Sequence, residues 1–104
     1  MAIYNYYELQ EKLGKIDNKE LYYRICMNIK KVRLQKYNEF KENYKDNTIN
    51  PYSTENIADL LDYNHNHYKR FESEHDSTKR IPLEKLIALS LIFDMTLDDL
   101  INLP

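Results

Sequence analysis

The chain has 104 residues, 42% hydrophobic and 31% charged, which suits one soluble globular domain with one core. One Gly and three Pro argue for an all-helical chain, since sheets with tight hairpins usually need more Gly. A formal net charge of −2 and a pI of 5.9 argue against a uniformly basic nucleic-acid binder, whose domain pI is usually above about 9.

Local charge matters more than the sum, because fields between exposed charges decay within about 8–10 Å at physiological salt. The cations cluster at Lys30, Lys31, Arg33 and Lys36, then at Lys69 and Arg70, then at Lys79 and Arg80. Acidic residues concentrate at 8–20 and 94–99, so one basic face is compatible with the acidic total. The single Cys26 rules out an intramolecular disulfide and sits in an apolar helical stripe, where it reads as a small buried hydrophobe. No apolar run approaches the ~20 residues of a membrane span and no signal peptide is legible, so a cytoplasmic protein is expected.

In chain order, residues 3–13 place Ile3, Tyr6 or Tyr7, Leu9 or Gln10, and Leu13 on one side of a short helix ended by Gly14. It reads either as an amphipathic arm packed on the main domain or as a dimerisation or partner-binding arm. Asp17 or Asn18 then caps a long helix, with Glu20 in its first turn. Leu21, Ile25, Ile29, Val32, Lys36 or Tyr37, Phe40 and Tyr44 recur along it at helical spacing. Asn28, Lys30, Lys31 and Arg33 fall on the opposite face, which is either a solvated charged face or a phosphate-contacting one. Residues 45–52 form a loop, and Pro51 disfavours helix at Asn50.

The stretch 53–72 reads as two short helices, Ser53 to Leu61 and Asn64 to Glu72, capped by Ser53 and Asn64. Asp62 between them can take the left-handed conformation that a helix stop needs. The second helix turns Tyr68 and Phe71 inward and His65, Asn66, His67, Lys69 and Arg70 outward. Residues 73–81 form a second loop. Pro82 then opens a helix so apolar, through Leu83, Leu86, Ile87, Leu89, Ile92 and Phe93, that it belongs in the core or against a second subunit. Thr96 caps a last turn over LDDLI, with Asp98 and Asp99 at its favourable end. Ile92, Phe93, Leu100 and the N-terminal tyrosines are candidates for a dimer surface.

Little here suggests catalysis. His65 and His67 are two apart on a helix and face different ways, so no metal site is expected. One Gly rules out a Gly-rich phosphate loop, and the scattered carboxylates form no tuned pair. No enzyme activity and no cofactor are expected. A capped helix, a short turn and a second helix with exposed hydrogen-bonding side chains near its N-terminus suit a helix laid into the DNA major groove. There Asn can pair with adenine, and Arg or Lys with guanine.

On these residues the chain resembles the Cro/phage-repressor-like (Xre-type) helix-turn-helix family, from about Ile25 to Ile101. NIKKVR (28–33) looks like the family's first helix. STENIADLLDYN (53–64) resembles its second helix and turn, with Ala58 at the small crossing position. Tyr68, Phe71 and Glu72 occupy the third helix's inward positions, and IPLEKLIALSLIFDMTLDDLI (81–101) looks like the closing helices. The chain departs from the pattern at Thr54, where the family often has Gln, and at Asp62, where it has Gly. It also departs in a lengthened link over about Asn38 to Tyr52 and a longer loop, Ser73 to Arg80, with acids at Glu74 and Asp76.

The resemblance implies an all-α, lambda-repressor-like domain of five or six helices over 25–104, with an extra N-terminal helical arm over 1–24. It implies a sequence-specific transcriptional regulator, a repressor or autoregulator of phage, plasmid or mobile-element type, that binds palindromic double-stranded DNA as a homodimer. Lys31, Thr54, Lys79 or Arg80 would contact phosphates. His65, Asn66, His67 and Lys69 or Arg70 would discriminate bases, with Asn64 at the start of the same helix beside them. The rival expectation is a protein-interaction module on the same fold, such as an antitoxin, an inhibitor of a host enzyme or a conjugation accessory protein, with a partner on the N-terminal arm.

Overall fold

The computed structural model describes residues 3–44, 48–75 and 80–103, and among them the chain is all-α, with six helices and no strand. They are α1 (Tyr6–Gly14), α2 (Asn18–Asn43), α3 (Thr54–Leu60), α4 (His65–Phe71), α5 (Leu83–Ile92) and α6 (Leu97–Ile101). Side chains set most of the starts. Asp17, Ser53, Asn64 and Thr96 each accept from a first-turn backbone N–H, which satisfies donors the helix cannot. α1 begins later than the apolar spacing predicts. Asn5 and Glu8 form a reciprocal capping box there, at 2.9 and 3.1 Å. α5 begins at Leu83, one residue after the expected Pro82, which is instead its extended N-cap.

Two helix stops share one device. Asp62 and Asp94 take left-handed backbone, with φ of 57° and 54°. After each, the next N–H reaches back to close the turn, from Tyr63 to the Ala58 carbonyl at 2.8 Å and from Met95 to the Ser90 carbonyl at 2.9 Å. This is the six-to-one bond of a Schellman stop, made with Asp in place of Gly.

The core forms on α2. Ile25, Cys26, Ile29, Val32 and Arg33 are its buried residues, spaced as one helical face. Against them pack Ile57 and Ala58 of α3, Tyr68 and Phe71 of α4, and Leu86 and Leu89 of α5. Phe93 and Leu100 are fully buried in the same cluster, so they cannot form the dimer surface expected of them. The expected solvated or phosphate-facing face of α2 is also corrected at two positions. Asn28 donates to the Leu100 and Ile101 carbonyls at 3.1 and 3.0 Å and so caps the end of α6. Arg33 is buried and bidentate to Glu72, with Nε to Oε2 at 2.6 Å and Nη2 to Oε1 at 2.9 Å. Its Nη1 donates to the Tyr52 carbonyl at 3.0 Å.

The N-terminal arm does not pack on the domain. Residues 3–20 are exposed, and burial on α2 begins in earnest at Ile25. α2 itself runs unbroken through residues 24 and 25. The radius of gyration is 16.6 Å and the longest extent 59 Å, where a compact chain of this length has a radius near 13 Å. The excess is the arm and the first turns of α2. On α5, Leu83, Ile87 and Leu91 face solvent, so the helix is buried on one side only.

Two measurements probe the core. Glu72→Ala strands a buried guanidinium and is expected to cost about 3–5 kcal/mol in urea denaturation; a loss under about 1 kcal/mol would mean the pair is solvated. The Tyr68 hydroxyl is buried and has no hydrogen-bond partner of good geometry among the described residues. Burial first, and then the neighbouring Glu72 carboxylate, hold its pKa far above the usual tyrosine value. The unfolded state therefore ionises first, near pH 10, and stability should fall above that pH. Tyr68→Phe should be neutral or stabilising by up to about 2 kcal/mol at pH 7 and blunt the alkaline loss; clear destabilisation at pH 7 would show that the hydroxyl is bonded.

Candidate functional site

The site is built on α3, the turn 61–64 and α4. α3 and α4 pack on each other, and Ala58 is buried between them and the core. Three side chains hold the unit in place. Lys85 of α5 donates from Nζ to the Leu61 carbonyl at 2.7 Å, a cation at the negative end of α3. The same ammonium lies 4.8 Å from the centre of the Tyr63 ring. At the other end, Asn56 donates to the Asn50 carbonyl at 2.8 Å, and Asn50 donates to the Tyr37 carbonyl of α2 at 3.1 Å. None of Lys85, Asn56 and Asn50 stands out in the sequence as functional, because each bonds a backbone group beyond its own helical turn, 24, 6 and 13 residues away.

The expected contact residues divide into groups. Thr54 and His65 meet, with Oγ1 and Nε2 at 2.8 Å, so the first residues of α3 and α4 touch. Either imidazole tautomer makes this bond, as donor or as acceptor. His67 is exposed and stacked, with its ring 4.7 Å from Tyr63 and 5.3 Å from Phe71. Burial and then the Glu84 charge raise the Tyr63 pKa, so that ring stays neutral in the stack at ordinary pH. Asn64, Asn66, Lys69 and Arg70 are exposed on the outer side of α4, opposite buried Tyr68 and Phe71.

Lys31 and Arg80 belong to neither α3 nor α4. Lys31 is exposed on α2, but its neighbours Lys30 and Arg33 are turned to Glu74 and Glu72 past the end of α4, at 3.3 and 2.6 Å. Arg80 is exposed and lies 4.8 Å over the Tyr22 ring of α2. Lys79 and Asp76 fall outside the described residues. Sequence reasoning passed over the acids on this face. Glu55, Asp59 and Asp62 are exposed, and Glu55 and Asp59 line an open notch with Asn56, Ala58, Tyr63 and His65.

What the arrangement offers chemically is hydrogen bonding and aromatic surface. Among the described residues no three His, Cys, Asp or Glu side chains gather as metal ligands would. Among the same residues no helix is long and apolar enough to cross a membrane.

Thr54→Val tests the framing of His65. Stability should change by no more than about 1 kcal/mol, since the bond is only half-buried. The imidazole ¹⁵N shifts of His65 should move as its tautomer balance is released, and unchanged shifts would show that the bond does not form. Comparison of the chain with protein-family models, with curated proteins and with solved structures finds no match.

Proposed function

We propose that the chain is a sequence-specific DNA-binding regulator of the helix-turn-helix kind, a repressor or autoregulator that reads the major groove with α4. The observation that supports this best is the two-sidedness of α4. Its inner side is fixed by Tyr68, Phe71 and the Glu72–Arg33 pair, while Asn66, His67, Lys69 and Arg70 stand exposed beside the α3–α4 turn. A helix held this way presents amide, imidazole and cationic groups in a fixed frame, as base-edge contacts require. Thr54 and Lys31 would contact phosphates in this reading, and paired copies would meet a palindromic site.

A second reading has an observation of its own. Glu55, Asp59 and Asp62 lie exposed on α3 and its turn, where an approaching phosphate backbone would be repelled. They favour a protein partner with a basic surface docking on the same face.

Duplexes selected from a random pool at low salt separate the two. DNA reading predicts a recovered consensus, an affinity that drops steeply with salt by about one log–log unit per phosphate contacted, and a loss of about 1–3 kcal/mol in Asn66→Ala. Failure to bind any duplex at low salt would favour the protein partner.

A further inference from the structure

Half of the large apolar side chains exposed among the described residues fall between Ile3 and Ile16, an eighth of the chain. On α1 Tyr6, Leu9 and Leu13 recur at spacings of three and four and are 68%, 42% and 64% exposed, Ile16 follows just past the helix end at 52%, and Tyr7, 77% exposed, lies to one side of this stripe. No residue of α1 is buried. A stripe that narrow is the seam of a helix pair; a helix packed on a globular core carries a wider one. A nine-residue helix is also marginal alone in water, so α1 needs a surface to pack on.

We infer that this surface is α1 of a second copy, laid antiparallel in a two-fold contact. Two-fold symmetry demands a self-complementary face, and α1 has one. With the axis between Leu9 and Gln10, Tyr6 meets the second copy's Leu13 and Leu9 lies one residue from its own equivalent. Glu8 of each copy then comes within one residue's rise, about 1.5 Å along the axis, of Lys12 of the other, so two opposite-charge pairs are within reach; in its own helix Glu8 also accepts from the Asn5 N–H and Lys12 lies over the Tyr4 ring. The helix dipoles also oppose. A parallel pair aligns the dipoles and sets Glu8 level with Glu8 and Lys12 level with Lys12.

An aromatic side chain buries about 150–250 Å² when wholly covered. The seam residues are 42–68% exposed, so three or four from each arm stay below the roughly 1,200–2,000 Å² that stable pairs bury, which fits a weak, reversible dimer. The inference does not rest on DNA reading, because the association needs no DNA.

Sedimentation equilibrium of the full chain tests it, with circular dichroism to confirm the fold. The wild type should dimerise reversibly. Leu9→Glu, at an exposed seam position, should weaken association at least about tenfold. Lys12→Glu should weaken self-association about three- to tenfold, since it places two like-charge pairs across the contact; Glu8→Lys does the same and also loses the Asn5 capping contact, so its helicity is matched to the wild type by circular dichroism before the two are compared. An equimolar mixture of these two variants should associate as a heterodimer more tightly than either variant alone, because the crossed pairs are again opposite in sign. The weakening of each single variant is what marks the antiparallel register, because a parallel wild-type pair already sets like charges level and each variant leaves it so. Leu83→Glu on α5 should have no effect. The inference fails if the wild type is monomeric at about 100 µM, if Leu9→Glu still dimerises, if the mixture associates no more tightly than either variant alone, or if Leu83→Glu abolishes the dimer.

Discussion

The buried pair of Arg33 and Glu72 joins three separate parts of the chain. Arg33 comes from the middle of α2, Glu72 from the end of α4, and the Tyr52 carbonyl that completes the guanidinium's bonding from the link before α3. Removing both charges from water is costly, and three hydrogen bonds offset that cost. Tyr68 and Phe71 lie on the same side of α4 as Glu72, so the pair sets the rotation of the helix about its axis. A seven-residue helix cannot hold such an orientation through its own backbone bonds. Which side chains of α4 face outward therefore follows from a contact made 39 residues earlier in the chain.

The turn beside α4 depends on the same economy of short-range bonds. Asp62 ends α3 in left-handed backbone, Lys85 neutralises the carbonyl end of α3, and Asn56 and Asn50 tie its beginning to α2. Lys85 satisfies a carbonyl that the end of α3 leaves open, whereas Asn56 and Asn50 brace α3 through carbonyls of the link and of α2. α3 and α4, which also pack on each other, thus form one corner. The Thr54–His65 bond closes the open side of that corner.

Local features were legible in the sequence, and long-range ones were not. Asp17, Ser53, Asn64 and Thr96 act as the caps they were expected to be, and Asp62 takes the expected left-handed turn, because these depend on residues within four positions. Arg33 is expected on an outer face because it is charged and stands in a basic run, although on a helical wheel it falls between Cys26 and Ile29 and nearly opposite Lys31. Its partner Glu72, 39 residues away, is what lets a charge occupy that buried face. The capping box at Asn5 and Glu8 was legible but was overridden by the apolar spacing that begins at Ile3. For Phe93 and Leu100 the pattern indicates burial but not against what, so a subunit contact and a core position look alike. On the candidate site, the outward set on α4 was recovered, whereas the acids beside it and the Lys85 brace were not. Their significance lies in how α3, α4 and α5 meet.

The acids and the arm bear on each other. With Glu55, Asp59 and Asp62 beside α4 and a net charge of −2, long-range steering toward a duplex would be weak in the proposed DNA-reading role, and contact would depend on a narrow strip of short-range bonds. One such head would bind poorly. Two heads joined through the proposed arm pairing would bind as one molecule, because the first contact would hold the second near its half-site at a high effective concentration. Arm pairing would then decide whether a weak reading head becomes an effective one. Linkage would require the converse as well, so a duplex carrying two correctly spaced half-sites would strengthen the pairing of the arms by the same factor.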